Sequence, residues 1–110
     1  MNVELNRRAA KPLCWNRCKT DCGQWYFDAD GTELLEVNQW FPCTDLNQAT
    51  LLESEVARRG LQCEYVTALL EQEPPGRDYK DYNGGLFFIA TAPAEARVRA
   101  AVETLEANRE

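Results

Sequence analysis

Three cysteines recur at every fourth residue, Cys14, Cys18 and Cys22, within LCWNRCKTDCGQW. On a continuous helix this spacing lines three sulfurs along one face, and thiolates so placed could hold zinc or an iron-sulfur cluster. Structural zinc sites, however, present cysteines about two to four residues apart on a turn and then add a second pair. The further cysteines here, Cys43 and Cys63, stand alone. Packing as small buried thiols is therefore the preferred reading; no cofactor is expected, and Cys14, Cys18 and Cys22 are the candidates if a metal is bound. Five cysteines without an export signal also read as reduced thiols, since an odd number cannot all pair within the chain.

The chain has no histidine. That removes the usual general base near neutral pH and the commonest metal ligand, and with them serine-histidine and cysteine-histidine catalysis. A thiol-dependent enzyme with a carboxylate partner is the remaining catalytic alternative, and catalysis is not expected. The fragment Asp28-Ala29-Asp30-Gly31 has the look of a calcium loop, but the later ligands of a twelve-residue loop are missing, and flanking strand-like segments make it a turn.

Charge is the next feature that could do work. The net charge is −6, unevenly spread. Residues 1–20 carry Arg7, Arg8, Lys11, Arg17 and Lys19 against Glu4, whereas residues 21–57 carry eight carboxylates and no Lys or Arg. A basic helix near Trp15 offers a route to nucleic acid, but the chain as a whole repels phosphate, so nucleic-acid association is the runner-up. The expected arrangement is basic helix against acidic hairpin within one fold, or the two as merely solvated faces; the sharper alternative is an acidic surface that imitates a phosphate backbone. Residues 74–85, PPGRDYKDYNGG, form a loop of about a dozen residues, a length uncommon in compact domains unless used. Its Arg77, Tyr79, Lys80 and Tyr82 are the candidate partner contacts, because arginine and tyrosine are enriched among binding hot spots.

These groups must be positioned by a single core. At 110 residues, 45% apolar and 27% charged, the chain reads as one globular domain spanning 1–110. Its longest apolar run is far below the roughly 18 residues of a membrane span, and its start lacks the apolar region of a signal peptide, so a cytoplasmic protein is expected. The best-signed element lies in residues 41–60. Thr44 or Asp45 can cap it with Gln48 in capping-box relation; Leu46, Ala49, Leu52 and Val56 form one stripe; Arg58, Arg59 and Gly60 end it.

Before it, Asn2 can cap a short helix with Leu5, Ala9 and Leu13 on one face, limited by Pro12. Residues 24–27 and 32–37 form a hairpin about the Asp28–Gly31 turn, and Trp40-Phe41-Pro42 closes one end of the core. After Gly60, residues 61–70 alternate through Cys63, Tyr65 and Thr67 and are expected as a strand, with ALLEQE able to turn helical; residues 85–91, GLFFIAT, are expected as a second, buried strand. Pro93 opens a last helix with Ala94, Val98, Ala101 and Leu105 inward and Arg97, Arg99, Glu103 and Glu106 facing water. The predicted class is α+β, a mostly antiparallel four-stranded sheet covered by helices in the order α-ββ-α-ββ-α.

Three stretches in this order resemble the phage ABA sandwich domain family of small phage and prophage proteins. Leu13-Cys14-Trp15 is similar to the family's Gly-Trp after an opening helix, Pro42-Cys43-Thr44-Asp45-Leu46 to its Ser-Thr-Asp helix start, and Ala90-Thr91-Ala92-Pro93 through Arg97, Ala100 and Ala101 to its alanine-rich last helix. Cys14 and Cys43 depart from it, standing for glycine and serine. The resemblance implies an α-β-α sandwich in the cytoplasm of a bacterial host, with no catalytic residue to carry over. The expected function is a non-catalytic domain that binds a host, defence or phage protein.

Overall fold

The computed structural model describes residues 3–72 and 89–108. The loop candidates Arg77, Tyr79, Lys80 and Tyr82, the capping Asn2, and the greater part of the strand expected over 85–91 lie outside the described residues. Within them the fold is α+β, with a three-stranded antiparallel sheet.

The first helix, α1 (Val3–Ala10), buries Leu5, Ala9 and Ala10 and also Asn6. Pro12, without an amide hydrogen, tightens the chain into a 3-10 turn over Lys11–Leu13, and Cys14 follows in the left-handed region at φ 62°. That reversal ends the helix, so the three regularly spaced cysteines do not share a helical face. Cys18 sits in strand β1 (Asn16–Thr20) and Cys22 in the turn to β2 (Gly23–Phe27).

Strand β3 (Glu33–Glu36) completes the sheet in the order β1-β2-β3. The predicted hairpin and its turn are present: Asp28 Oδ1 accepts from the amides of Asp30 and Thr32, both at 2.9 Å, and Gly31 adopts φ 87°, which a side chain would oppose. Partners shift between Tyr26 and Phe27, leaving Leu34 as the extra residue of a bulge.

Helix α2 (Leu46–Arg58) matches its expected limits. Asp45 Oδ1 accepts from the amides of Asn47 (2.9 Å) and Gln48 (3.3 Å). Gln48 reaches back further than a capping box requires, its Oε1 accepting from the Phe41 amide at 2.7 Å. At the other end Leu61 N donates to Val56 O and Gly60 N to Ala57 O, a Schellman pair with Gly60 at φ 71°. Ala49, Leu52 and Val56 are buried; Leu46 is not, being 54% exposed in the first turn.

The expected strand at 61–70 is instead helix α3 (Gln62–Leu70). Its helical signal is the spacing of four through Leu61, Tyr65 and Leu69, which seats Tyr65 and Leu69 in the core and Leu61 against it. Residues 89–91 are helical as well, so the described end of the second expected strand is not β. The fourth strand, and with it the predicted order, is not seen among the described residues.

The last helix, α4 (Ala94–Ala107), packs against α2, α3 and α1. Pro93 stands at its N-cap, and Ala94, Val98, Ala101 and Leu105 are buried as predicted. Arg97 does not face water. Only 19% of its side chain is exposed, and it donates to the carbonyls of Ala92 (2.9 Å), Ile89 (2.8 Å) and Ala90 (3.3 Å) and to Glu53 Oε2 (3.2 Å).

Candidate binding surfaces

The sheet touches the helical core with one face only. Arg17, Tyr26 and Leu35 are register partners and share that face; Tyr26 is buried, and Leu35 packs against the core. Cys18, Trp25 and Glu36 are partners on the opposite face, with Asn16 and Phe27 in the next row. Trp25 and Phe27 are half-buried, yet neither belongs to the core cluster or to the apolar residues packed against it, and Leu34 is 38% exposed. The far face thus carries apolar surface apart from the core.

Among the described residues β1 is an edge strand. The two-residue turn makes Thr20 and Gly23 a hydrogen-bonded pair, and alternation then directs the backbone groups of Arg17 and Lys19 away from β2, to the open side. Arg17, Cys18 and Lys19 are exposed along it.

A cleft of about 300 Å³ opens between α1 and the inner face of the sheet, lined by Arg7, Arg17, Tyr26, Val37, Trp40 and Phe41 among others. Trp40 is the floor of this region, its indole N–H donating to the Asn6 carbonyl at 2.7 Å and its ring lying 4.7 Å from Trp15. The Tyr26 hydroxyl is pushed above its ordinary range by burial, against the opposing pull of Arg17 and Arg7 nearby. A larger groove of about 600 Å³ has Lys11, Cys14, Arg58 and Arg59 on its walls with Glu106. Its charges are largely answered: Arg59 donates to Pro12 O at 2.7 Å and, with Arg58, to Glu55, whose carboxyl those guanidinium hydrogen bonds hold below its usual range.

The cations of the N-terminal segment therefore separate. Arg7 and Arg17 meet at the cleft, Lys11 lines the groove, and Arg8 pairs with Glu106 through bonds of 2.6 and 3.3 Å rather than with the acidic hairpin. The acidic stretch is likewise partly used internally. Asp28 holds a turn, Asp45 caps α2, Glu53 receives Arg97 and the Tyr65 hydroxyl, and Glu55 receives Arg58 and Arg59.

The cysteines depart from the packing expectation. Cys14, Cys18, Cys22 and Cys63 are exposed and only Cys43 is buried, where desolvation raises its thiol to about 11. Among the described residues no group of three or more Cys, Asp or Glu side chains could hold a metal ion, and Cys14, Cys18 and Cys22 are not brought together as ligands. No described helix is long and apolar enough to cross a membrane.

No family model, characterised protein or solved structure matches this chain. The cleft and the open edge went unseen in the sequence because both depend on strand register, which sets Arg17 opposite Tyr26. The Glu53–Tyr65–Arg97 cluster joins three helices and had no local signal either.

Proposed function

We propose that this chain is a non-catalytic protein-binding domain whose sheet receives an extended, acidic segment of a partner along β1. The observation that carries the reading is the placement of Trp25 and Phe27 on a sheet face outside the core, beside a strand that is at the sheet edge among the described residues and whose Arg17, Cys18 and Lys19 are exposed. Strand addition supplies backbone hydrogen bonds for affinity, while side chains of alternate residues supply specificity. Charge selects both the edge and the partner. Arg17 and Lys19 project from β1, whereas Glu33 and Glu36 belong to β3, so carboxylates on the incoming strand favour β1 and disfavour β3. The same two cations oppose pairing of β1 with a second copy of itself, as edge lysines do in many sheets.

The resemblance to the phage ABA sandwich family extends this reading to a host or defence protein as the partner. The α+β content and the antiparallel hairpin support that resemblance; α3, standing where a strand was expected, speaks against the four-stranded order. Separation of the N-terminal cations over three places disfavours a continuous basic stripe for nucleic acid, and the absence of histidine disfavours thiol catalysis.

The test uses two short blocked peptides, one alternating Val and Glu and the other Val and Lys, titrated while Trp25 fluorescence is followed. The Val-Glu peptide should bind saturably and the Val-Lys peptide should not. Lys19→Pro removes an outward amide without touching the ladder, so it should abolish binding and leave the thermal melt unchanged. Equal response to both peptides, or none to either, would refute strand addition of an acidic partner.

A further inference from the structure

The cleft between α1 and the sheet brings together two guanidinium groups and a phenol from distant parts of the chain. Arg7 comes from α1, Arg17 from β1 and Tyr26 from β2. Among the described residues no carboxylate pairs with either arginine, although the chain carries a net charge of −6. Arg17 donates to the neutral Gln24 side chain. Tyr26 is only 3% exposed, and no described residue hydrogen-bonds its hydroxyl, which is not sealed in the core and so is free to donate into the cleft. Both arginines lie close enough to act on its ionisation. Two cations without a carboxylate partner among the described residues and a hydroxyl without a described acceptor, at one cavity, are the complement of an anion.

The rest of the lining defines what the anion is attached to. Val3, Val37, Trp40 and Phe41 are apolar, and Asn6 and Asn38 are the neutral polar residues of the lining. Inorganic phosphate would leave that surface wet. The cleft, at about 300 Å³, matches the lower end of ligand pockets. A phosphate monoester carries nearly two negative charges and three acceptor oxygens, and so can take two guanidinium groups and a hydroxyl at once; a carboxylate has one charge and two oxygens.

We infer that this cleft binds a small phosphate monoester carried on a flat apolar ring, with Arg7, Arg17 and the Tyr26 hydroxyl on the phosphate and Val37, Trp40 and Phe41 against the ring. This site shares Arg17 with the β1 edge, but Arg7 and Tyr26 belong to the cleft and Lys19 to the edge, so variants at those three positions separate the two readings. A nucleoside monophosphate and a phosphorylated tyrosine share the chemistry, and their relative affinities tell the sources apart.

The experiment titrates the full chain with phenyl phosphate, AMP, free O-phosphotyrosine and inorganic phosphate, read by calorimetry and by Trp40-dependent fluorescence. At least one aromatic phosphate should bind saturably and about tenfold or more tighter than inorganic phosphate, a difference of roughly 1.4 kcal/mol. Added salt should weaken it. Arg7→Gln, an exposed change on α1, should lower affinity about tenfold without moving the melt, and Tyr26→Phe should lower it by a smaller factor. Tighter AMP assigns the site to nucleotides; tighter phosphotyrosine assigns it to a modified side chain. The proposal is overturned if no aromatic phosphate saturates, if inorganic phosphate binds as tightly, or if Arg7→Gln and Arg17→Gln both bind as the wild type does. Lys19→Pro, which disables the edge, should leave this binding intact.

Discussion

Replacing Arg97 by methionine should destabilise the protein by about 3–4 kcal/mol. The figure follows from what the side chain holds. Three carbonyls, of Ile89, Ala90 and Ala92, accept from its guanidinium at 2.8, 3.3 and 2.9 Å. A typical hydrogen bond contributes roughly 0.5–1.5 kcal/mol, and the three together about 2–3 kcal/mol after the longest is discounted. The pair with Glu53, at 3.2 Å and with side chains 19% and 24% exposed, adds about 1 kcal/mol, short of the 3–5 kcal/mol lost on breaking a dry pair. Methionine keeps the stem packed, so little cavity loss is added. Urea denaturation followed by far-UV circular dichroism measures the change, seen as a lower midpoint at constant slope. A double cycle with Glu53→Gln should return a coupling of about 1 kcal/mol, leaving the larger share to the carbonyl contacts. A loss below about 0.5 kcal/mol, the level of an ordinary surface substitution, would refute the role of Arg97 as the clasp between residues 89–92 and α4.

Val98 is fully buried on α4, so Val98→Asp should cost several kcal/mol in the same assay while Glu103→Gln on the exposed face changes little. Four of the five thiols should react promptly with a thiol reagent in the native protein, and Cys43 only on unfolding; atomic absorption after dialysis against a chelator should find less than one equivalent of zinc or iron. Alkali should unfold the chain. Cys43 and Tyr65 both hold their protons more tightly when folded, Cys43 because of burial and Tyr65 because of burial and its bond to Glu53, so stability is full below the ordinary thiol range and falls as pH rises. For Cys43, passage from 9.0 to about 11 corresponds to roughly 2–3 kcal/mol, which a melt series from pH 8 to 11 would register and Cys43→Ser would diminish.

What could be read from the sequence was what local chemistry decides. Asp45 and Gly60 bracket α2 because a carboxylate can cap free amides and a glycine can adopt positive φ wherever the chain lies. Asp28 and Gly31 likewise make their turn unaided. The α3 segment misled because Cys63, Tyr65 and Thr67 share one parity while Leu61, Tyr65 and Leu69 share one helical face, and packing against α4 decided between them. Arg97 looked solvent-facing since its acceptors are carbonyls, which carry no sequence signal. The even spacing of Cys14, Cys18 and Cys22 lost its helical meaning once Pro12 and the left-handed Cys14 turned the chain into a hairpin.

The division between the helical core and the sheet explains why binding surfaces collect where they do. A three-stranded sheet is stable when one face is covered, and here Tyr26 and Leu35 supply that cover by meeting the core. Among the described residues the second face does not meet the core, and Trp25 and Phe27 place apolar surface on it. The cleft on the covered side is fixed by a buried amide. Asn6 Oδ1 accepts from the Cys43 amide at 3.0 Å while the Asn6 carbonyl accepts from Trp40, so α1 is tied to the segment that leads from the sheet into α2. Asn6 is 5% exposed, and a polar group so buried holds its partners in one geometry because leaving it unpaired is costly. Arg7 is its neighbour on α1. The clasp that secures Asn6 therefore also fixes the place on α1 from which Arg7 reaches the cleft that Arg17 and Tyr26 line from the sheet.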